Sequence, residues 1–191
     1  MRARSYLPAL LAATTLTLVG CGSDSGAGSG NPPAIDSASK SSAPAAPQSP
    51  ASSSTTVPEA LRFTGTTVDG KPFDGATLAG KPTVLWFWAP WCPKCKAQGP
   101  ETAKVADQFK GEANVVGVAG LDKQAAMKDF VASAKVGGFP NLSDEAGDIW
   151  KKFEITQQSV YVILDKDGKT VFTGNLPAGK GLADKVSKLV G

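Results

Sequence analysis

Two cysteines separated by two residues, Cys92 and Cys95, offer the most reactive chemistry in the chain. They follow an apolar run, Thr83-Val84-Leu85-Trp86-Phe87-Trp88-Ala89-Pro90-Trp91, that reads as a buried strand, and the residues after them read as a helix. A cysteine at a helix N-terminus meets unpaired backbone N–H groups and the positive end of the dipole, and both favour its thiolate. A sulfur activated in this way is a nucleophile near neutral pH. Cys95 falls on the same helical face one turn deeper. That spacing puts the two Cα atoms roughly 5 Å apart, inside the range a disulfide accepts. The residue types and their spacing predict one bond that opens and closes by thiol–disulfide exchange.

Composition removes several competing chemistries. The 191 residues contain no histidine, which excludes Ser-His-Asp and Cys-His catalysis, imidazole metal ligands and histidine bases. The net charge of +3 is spread over mixed signs, so nucleic acid has no electrostatic footprint here. Three cysteines do not make an extracellular staple framework. With Cys21 beside an apolar leader, a single pair is left for the body of the protein.

The N-terminus reads as an export signal, with Arg2 and Arg4 ahead of an apolar stretch from Leu7 to Val19 that is too short to span a membrane. Leu18-Val19-Gly20-Cys21 resembles the lipobox of bacterial lipoproteins. In that class the peptide is cut before the cysteine, whose thiol then carries a diacylglyceryl group, and two acyl chains anchor stably. Residues 1–20 are therefore expected to be a lipoprotein signal peptide. Residues 21–60 are mostly Ser, Ala, Pro and Gly; they are expected to be a disordered tether that holds a folded head, residues 61–191, off the membrane.

Within the head, Leu61 to Val68 alternates and Asp69-Gly70 marks a hairpin turn before Lys71-Pro72-Phe73. Asn114 to Val118 reads as a second apolar strand, followed by a helix with Asp122 as its N-cap and Met127, Phe130, Val131 and Ala134 on one stripe. Pro100 is expected to kink or restart the helix after Cys92. Gly137 to Pro140 is read as a loop, Asp148 to Phe153 as a short helix and Val160 to Leu164 as a strand. Asp165-Lys166-Asp167-Gly168 turns the chain into an antiparallel edge at Thr170 to Thr173, and a last helix carries Leu182, Val186, Leu189 and Val190. Strand, helix, strand, helix, hairpin and closing helix predict an α/β sandwich with parallel early strands.

Phe87 to Cys95, with Gly80-Lys81-Pro82 ahead and Leu164 to Gly168 downstream, resembles the thioredoxin-like family, above all the exported TlpA, ResA and DsbE type. With the lipobox and Leu85 to Trp91, the chain is most similar to extracytoplasmic DsbE/DsbF-like lipoproteins of actinobacteria. The resemblance implies a central mixed sheet flanked by helices, with an N-terminal β-hairpin. It also implies that Cys92 is the exposed attacking thiol and Cys95 the buried resolving thiol. Trp91 would offer a flat surface to a partner or simply pack in the core. Pro93 fits a first helical turn, where no N–H is needed. Lys94 would either favour the thiolate or stay solvated and screened.

Three positions depart from the family pattern. Its members carry a cis-proline facing the cysteines, and that slot, in Gln157-Gln158-Ser159-Val160, is Ser159. The missing proline would weaken the edge formed with Gln158 that pairs with a substrate backbone. It would also leave room near the sulfurs, enough for a metal or cluster. Trp86 stands where cytoplasmic thioredoxins bury an acid, and Gln98 where reductive ResA-type members place one. Glu101 is the nearest acid in sequence.

The resulting expectation is an extracytoplasmic, membrane-tethered protein thiol–disulfide oxidoreductase with no cofactor beyond the Cys92–Cys95 disulfide. Its partners would be exported cysteine-containing proteins and a membrane redox partner that resets the disulfide. A stabilised thiolate makes the disulfide a better oxidant, so the direction leans to oxidase. The TlpA/ResA resemblance supplies the alternative, a reductase of the kind that keeps apocytochrome c cysteines reduced. Two other readings are a soft-metal-binding module using the pair with Met127, and a thiol peroxidase on the same fold.

Overall fold

Six consecutive buried residues, Thr83–Trp88, form the middle of the structure, a computed structural model that describes residues 56–191. The leader, the tether up to residue 55 and Cys21 lie outside the described residues. A 3-10 turn at Glu59–Leu61 precedes a small antiparallel sheet of β1 (Thr64–Thr66) and β2 (Pro72–Asp74). As Asp69-Gly70 predicts, Gly70 takes a φ of +84° in the connection, and its N–H donates to the Thr67 carbonyl at 2.8 Å. The main sheet contains β3 (Thr83–Trp88), β4 (Asn114–Ala119), β5 (Asn141–Ser143), β6 (Val160–Leu164) and β7 (Thr170–Gly174) in the order β5-β4-β3-β6-β7. Strands β3, β4 and β5 run parallel, whereas β6 and β7 are antiparallel additions. This is the mixed, helix-flanked sheet that the sequence predicts.

The helices are α1 (Pro93–Gln108), α2 (Gln124–Ser133), α3 (Asp148–Lys152) and α4 (Leu182–Val190). Strand β3 reads as unbroken apolar sequence because both its faces are covered. Val84, Trp86 and Trp88 join one core with Val105 of α1, Met127 and Phe130 of α2, and Leu182 and Val186 of α4. Leu85 and Phe87 point the other way, into a core with Leu61, Val118, Leu142, Ile149 and Trp150. Each such side chain contributes roughly 1.5–3 kcal/mol by leaving water. A polar pair among several lies in the first core: the Tyr161 hydroxyl is 2.7 Å from Thr102 Oγ1. Burial holds the tyrosine hydroxyl well above its ordinary titration range, so it stays neutral.

Three expectations need correction. Pro100 does not restart the helix: α1 runs through it from residue 93 to residue 108. A strand follows the Gly137–Pro140 loop, too short at three residues to show a period. Asp122 is not the cap of α2. It sits one residue early and accepts only the Lys123 N–H at 2.8 Å, while Lys123 holds the cap position without a capping side chain.

The capping role passes to Glu145, 21 residues downstream, whose Oε1 accepts the Gln124 N–H at 2.7 Å. That bond, and a second from Lys123 Nζ at 3.2 Å, hold the Glu145 carboxyl below the usual carboxylate range. Glu145→Gln should therefore lower the melting temperature near neutral pH. A lowered folded-state pKa adds stability above the ordinary value and loses it as pH falls through the lowered one. The gap between wild type and variant should narrow as the pH falls below the ordinary glutamate value and close below the lowered one. Thermal melts across that range check this; a gap independent of pH would remove the carboxylate from the cap.

Candidate active site

Strand β3 ends at Trp88 and hands the chain through Ala89-Pro90-Trp91 to Cys92, which is the N-cap of α1. Cys92 has extended backbone geometry, φ −84° and ψ 111°, and its Sγ accepts the Cys95 N–H at 3.1 Å. The sulfur thus takes one of the orphan donors of the first turn, the arrangement that stabilises a thiolate. Pro93 is the first helical residue, where its missing N–H leaves nothing unpaired. Cys92 and Cys95 are joined as a disulfide with a Cα separation of 5.3 Å, which matches the spacing argument.

Exposure distinguishes the two sulfurs, though less than expected. Cys95 is sealed at 0% and Cys92 retains 3%, so the residue expected to be exposed is also buried. Cys92 is flanked by residues that do reach solvent: Trp91 at 55% exposure, with Pro93 and Lys94 also exposed. Trp91 is therefore not a core residue, and its indole N–H donates to the Leu121 carbonyl at 3.4 Å. Lys94 makes no ion pair among the described residues. In water its charge acts on the sulfurs only through a screened field.

Beneath the pair, an uncharged amide occupies the place expected for an acid. Gln98, one turn after Cys95 and 1% exposed, accepts the Trp86 indole N–H at 2.9 Å through Oε1. Its Nε2 donates to the carbonyls of Leu176 at 3.0 Å and Ser159 at 3.3 Å. Gln98 thereby ties β3, α1 and the loops leading into β6 and out of β7 to one point. Glu101 does not replace it: six residues past Cys95 is about 120° away around the helix. There its Cβ crowds Gly179, where an added Cβ would come within 2.8 Å.

The proline slot is also rebuilt. Ser159 has a φ of +70° and donates its N–H to the Phe87 carbonyl at 2.8 Å. Proline offers neither that φ nor that donor. Ser159 itself is buried at 2% exposure, and Asn175 Nδ2 donates to both its carbonyl and its hydroxyl at 2.6 Å. Gln158 beside it is half-buried. Met127, offered as a soft-metal ligand, is sealed in the core, where its sulfur accepts from the Ser143 hydroxyl at 3.3 Å. Among the described residues no three His, Cys, Asp or Glu side chains gather as a metal site. Leu121 and Asn175 escaped the sequence reading because each meets the site only through tertiary contact.

Fold and pair together define a class, the thioredoxin-like proteins of thiol–disulfide oxidoreductase type. The chain belongs to the AhpC/TSA family, whose model matches residues 57–172. It is 43% identical over 117 residues to the soluble secreted antigen MPT53 of Mycobacterium tuberculosis, a match covering 61% of this chain and 66% of that protein, just under two thirds of its length. The structure of MTB dsbF in mixed oxidized and reduced forms matches with 42% identity and a TM-score of 0.65, over 70% of this chain and 99% of that one. The thiol-disulfide oxidoreductase ResA of Bacillus cereus is 27% identical over 59% of this chain and 65% of its own length.

The buried amide makes a pH-dependent prediction. In Gln98→Glu the carboxyl faces two carbonyl oxygens out of water, so its folded-state pKa rises above the unfolded one. Stability should be near wild type below the ordinary glutamate range and fall as pH rises towards the raised value. The loss at neutral pH should be about 3 kcal/mol. Urea unfolding at acidic and neutral pH measures it; equal losses at both would show that the two amide donors are unimportant.

Proposed function

We propose that this protein is an extracytoplasmic thiol–disulfide oxidoreductase that passes the Cys92–Cys95 disulfide to exported proteins. The observation that carries the reading is the N-cap sulfur: Cys92 Sγ accepts the Cys95 N–H, and Cys92 is the residue of the pair that retains any exposure. A substrate thiolate attacks Cys92 Sγ, the Cys92–Cys95 bond breaks, and Cys95 leaves as a thiolate and takes up a proton. A second substrate thiolate then attacks its own sulfur in the mixed disulfide and releases Cys92, with two electrons passing from substrate to the pair. Cys92 leaves easily because the helix N-terminus favours its anion. That preference stabilises the reduced form and supports the oxidase direction.

The secreted character of MPT53 and the leader with Cys21 support an extracytoplasmic protein. The anchor would be a lipid on Cys21, and a membrane redox partner would reoxidise the pair. No helix among the described residues is long and apolar enough to cross a membrane.

Two measurements test this reading. Equilibration of the purified protein with glutathione should give a potential above the thioredoxin value of about −270 mV, alongside oxidation of a reduced, unfolded protein. A potential well below that value, with rapid insulin reduction, would reverse the direction to the ResA-type alternative. Cys95→Ser should accumulate mixed disulfides with reduced substrate proteins under mild oxidation, and Cys92→Ser should not. Trapping through Cys95 instead would sink the assignment of roles.

A further inference from the structure

Four hydrogen bonds converge on Ser159, in the loop that leads into β6. Its N–H donates to the Phe87 carbonyl of β3 at 2.8 Å, and Gln98 Nε2 of α1 donates to its carbonyl at 3.3 Å. Asn175 Nδ2 supplies the other two, to that same carbonyl and to the hydroxyl, both at 2.6 Å. A carbonyl only accepts, so the nitrogen of the Asn175 amide must face it, and this fixes which way the amide points. Gln98 Nε2 also donates to the carbonyl of Leu176, the residue after Asn175. The bonds thus close a ring through Gln98, Ser159, Asn175 and Leu176.

What the ring holds is an unfavourable backbone. Ser159 has a φ of +70°, which glycine or asparagine adopts far more readily than serine. It ends no helix, where a left-handed residue is ordinary, and instead precedes a strand. Such a conformation persists only where its surroundings over-determine it, and residues of this kind gather at functional sites. Strand β3 leads to Cys92 and α1 begins there. Phe87 and Gln98, two of the groups that hold Ser159, therefore belong to the two elements that carry the redox pair.

The neighbouring peptide depends on this grip. The peptide plane between Gln158 and Ser159 turns with the Ser159 φ, and it carries the Gln158 carbonyl. Among the described residues neither the N–H nor the carbonyl of Gln158 joins a backbone hydrogen bond. That leaves a short backbone edge free to pair, held beside the elements that carry the disulfide.

We propose that Asn175 is a positioning residue for the exchange proposed above, on which this inference rests. Its amide locks Ser159 in the left-handed conformation and so aims the Gln158 edge at an extended substrate chain. Asn175 takes no part in the electron balance: the substrate thiolate still bonds to Cys92 Sγ and Cys95 still leaves. Without the amide, the Ser159 carbonyl keeps only the longer bond from Gln98, and the loop relaxes toward a conformation that serine prefers. A small thiol has no backbone to align, so it feels this change less than a polypeptide does.

The test measures second-order rates of the oxidised protein with two reductants, an unstructured peptide containing one cysteine and 2-mercaptoethanol. Asn175→Ala should lower the ratio of the peptide rate to the 2-mercaptoethanol rate about tenfold. Asn175 is exposed, so its truncation opens no cavity in the core. Asn175→Asp, equal in size but with no donor to offer the carbonyl, should lower the ratio as far. Adding Ser159→Gly to Asn175→Ala should recover most of the ratio, because glycine takes the left-handed conformation unaided. A merely structural role for Asn175 does not produce that rescue, since the glycine removes a further side chain and adds no contact.

An unchanged ratio in Asn175→Ala would overturn the proposal. So would a loss that Ser159→Gly fails to recover, which would place the amide itself against the substrate. Equal slowing with both reductants would make Asn175 a support of the disulfide and overturn it too. A wild type inert to both reductants would remove the underlying exchange, and the positioning role with it.

Discussion

The hydrogen bond from the Cys95 N–H to Cys92 Sγ depends on where the first turn of α1 begins, and that point is set by the strand before it. Buried at every residue and paired on both sides, β3 cannot slide: a one-residue slip would exchange the side chains of its two cores. Its end therefore delivers Cys92 to one place. From there, helix geometry fixes Cys95 without further instruction, since three residues make most of a turn. The redox pair is precise because the most rigid strand in the fold aims it.

Support for the pair comes from uncharged groups. Gln98 satisfies the Trp86 indole on one side and two loop carbonyls on the other, so a fully buried polar side chain costs little. An ionised acid at that point would have to give up the two carbonyl contacts, which need donors. Serine in the proline slot follows a similar logic. The loop there is held by the Ser159 N–H on Phe87 and by Asn175, where a proline ring would hold it through fixed geometry. With a neutral underlayer, the thiolate-stabilising element nearest the pair is the helix terminus itself.

The loops around this end of the sheet carry the molecule's unusual backbone. Leu121, Ser159 and Ala178 all have positive φ, following β4, preceding β6 and lying in the turn packed on α1. Local conformations that disfavour these residues persist because the surrounding sheet and helix over-determine them. Among the described residues the two other non-glycine cases, Lys135 and Glu154, directly follow the C-caps of α2 and α3 and carry no such meaning.

Much of the fold was legible in the chain because its signals are local. Unbroken apolar runs mark the doubly covered strands, Asp69-Gly70 and Asp165 to Gly168 mark turns, and Cys92-Pro93-Lys94-Cys95 marks both the start of a helix and its chemistry. Apart from the three-residue β5 and the uninterrupted helix at Pro100, the failures share one cause, partners distant in sequence. Glu145 caps a helix that starts 21 residues earlier, and Asn175 braces Ser159 from 16 residues away. Trp91 finds Leu121 across 30 residues, so no local pattern could say whether that tryptophan was core or surface. Sequence alone determined the sulfurs, their spacing and the helix that begins at them, because those depend on neighbours within one turn. Only the tertiary structure decided what surrounds them, since burial and long-range hydrogen bonds exist only once the sheet has brought remote segments together.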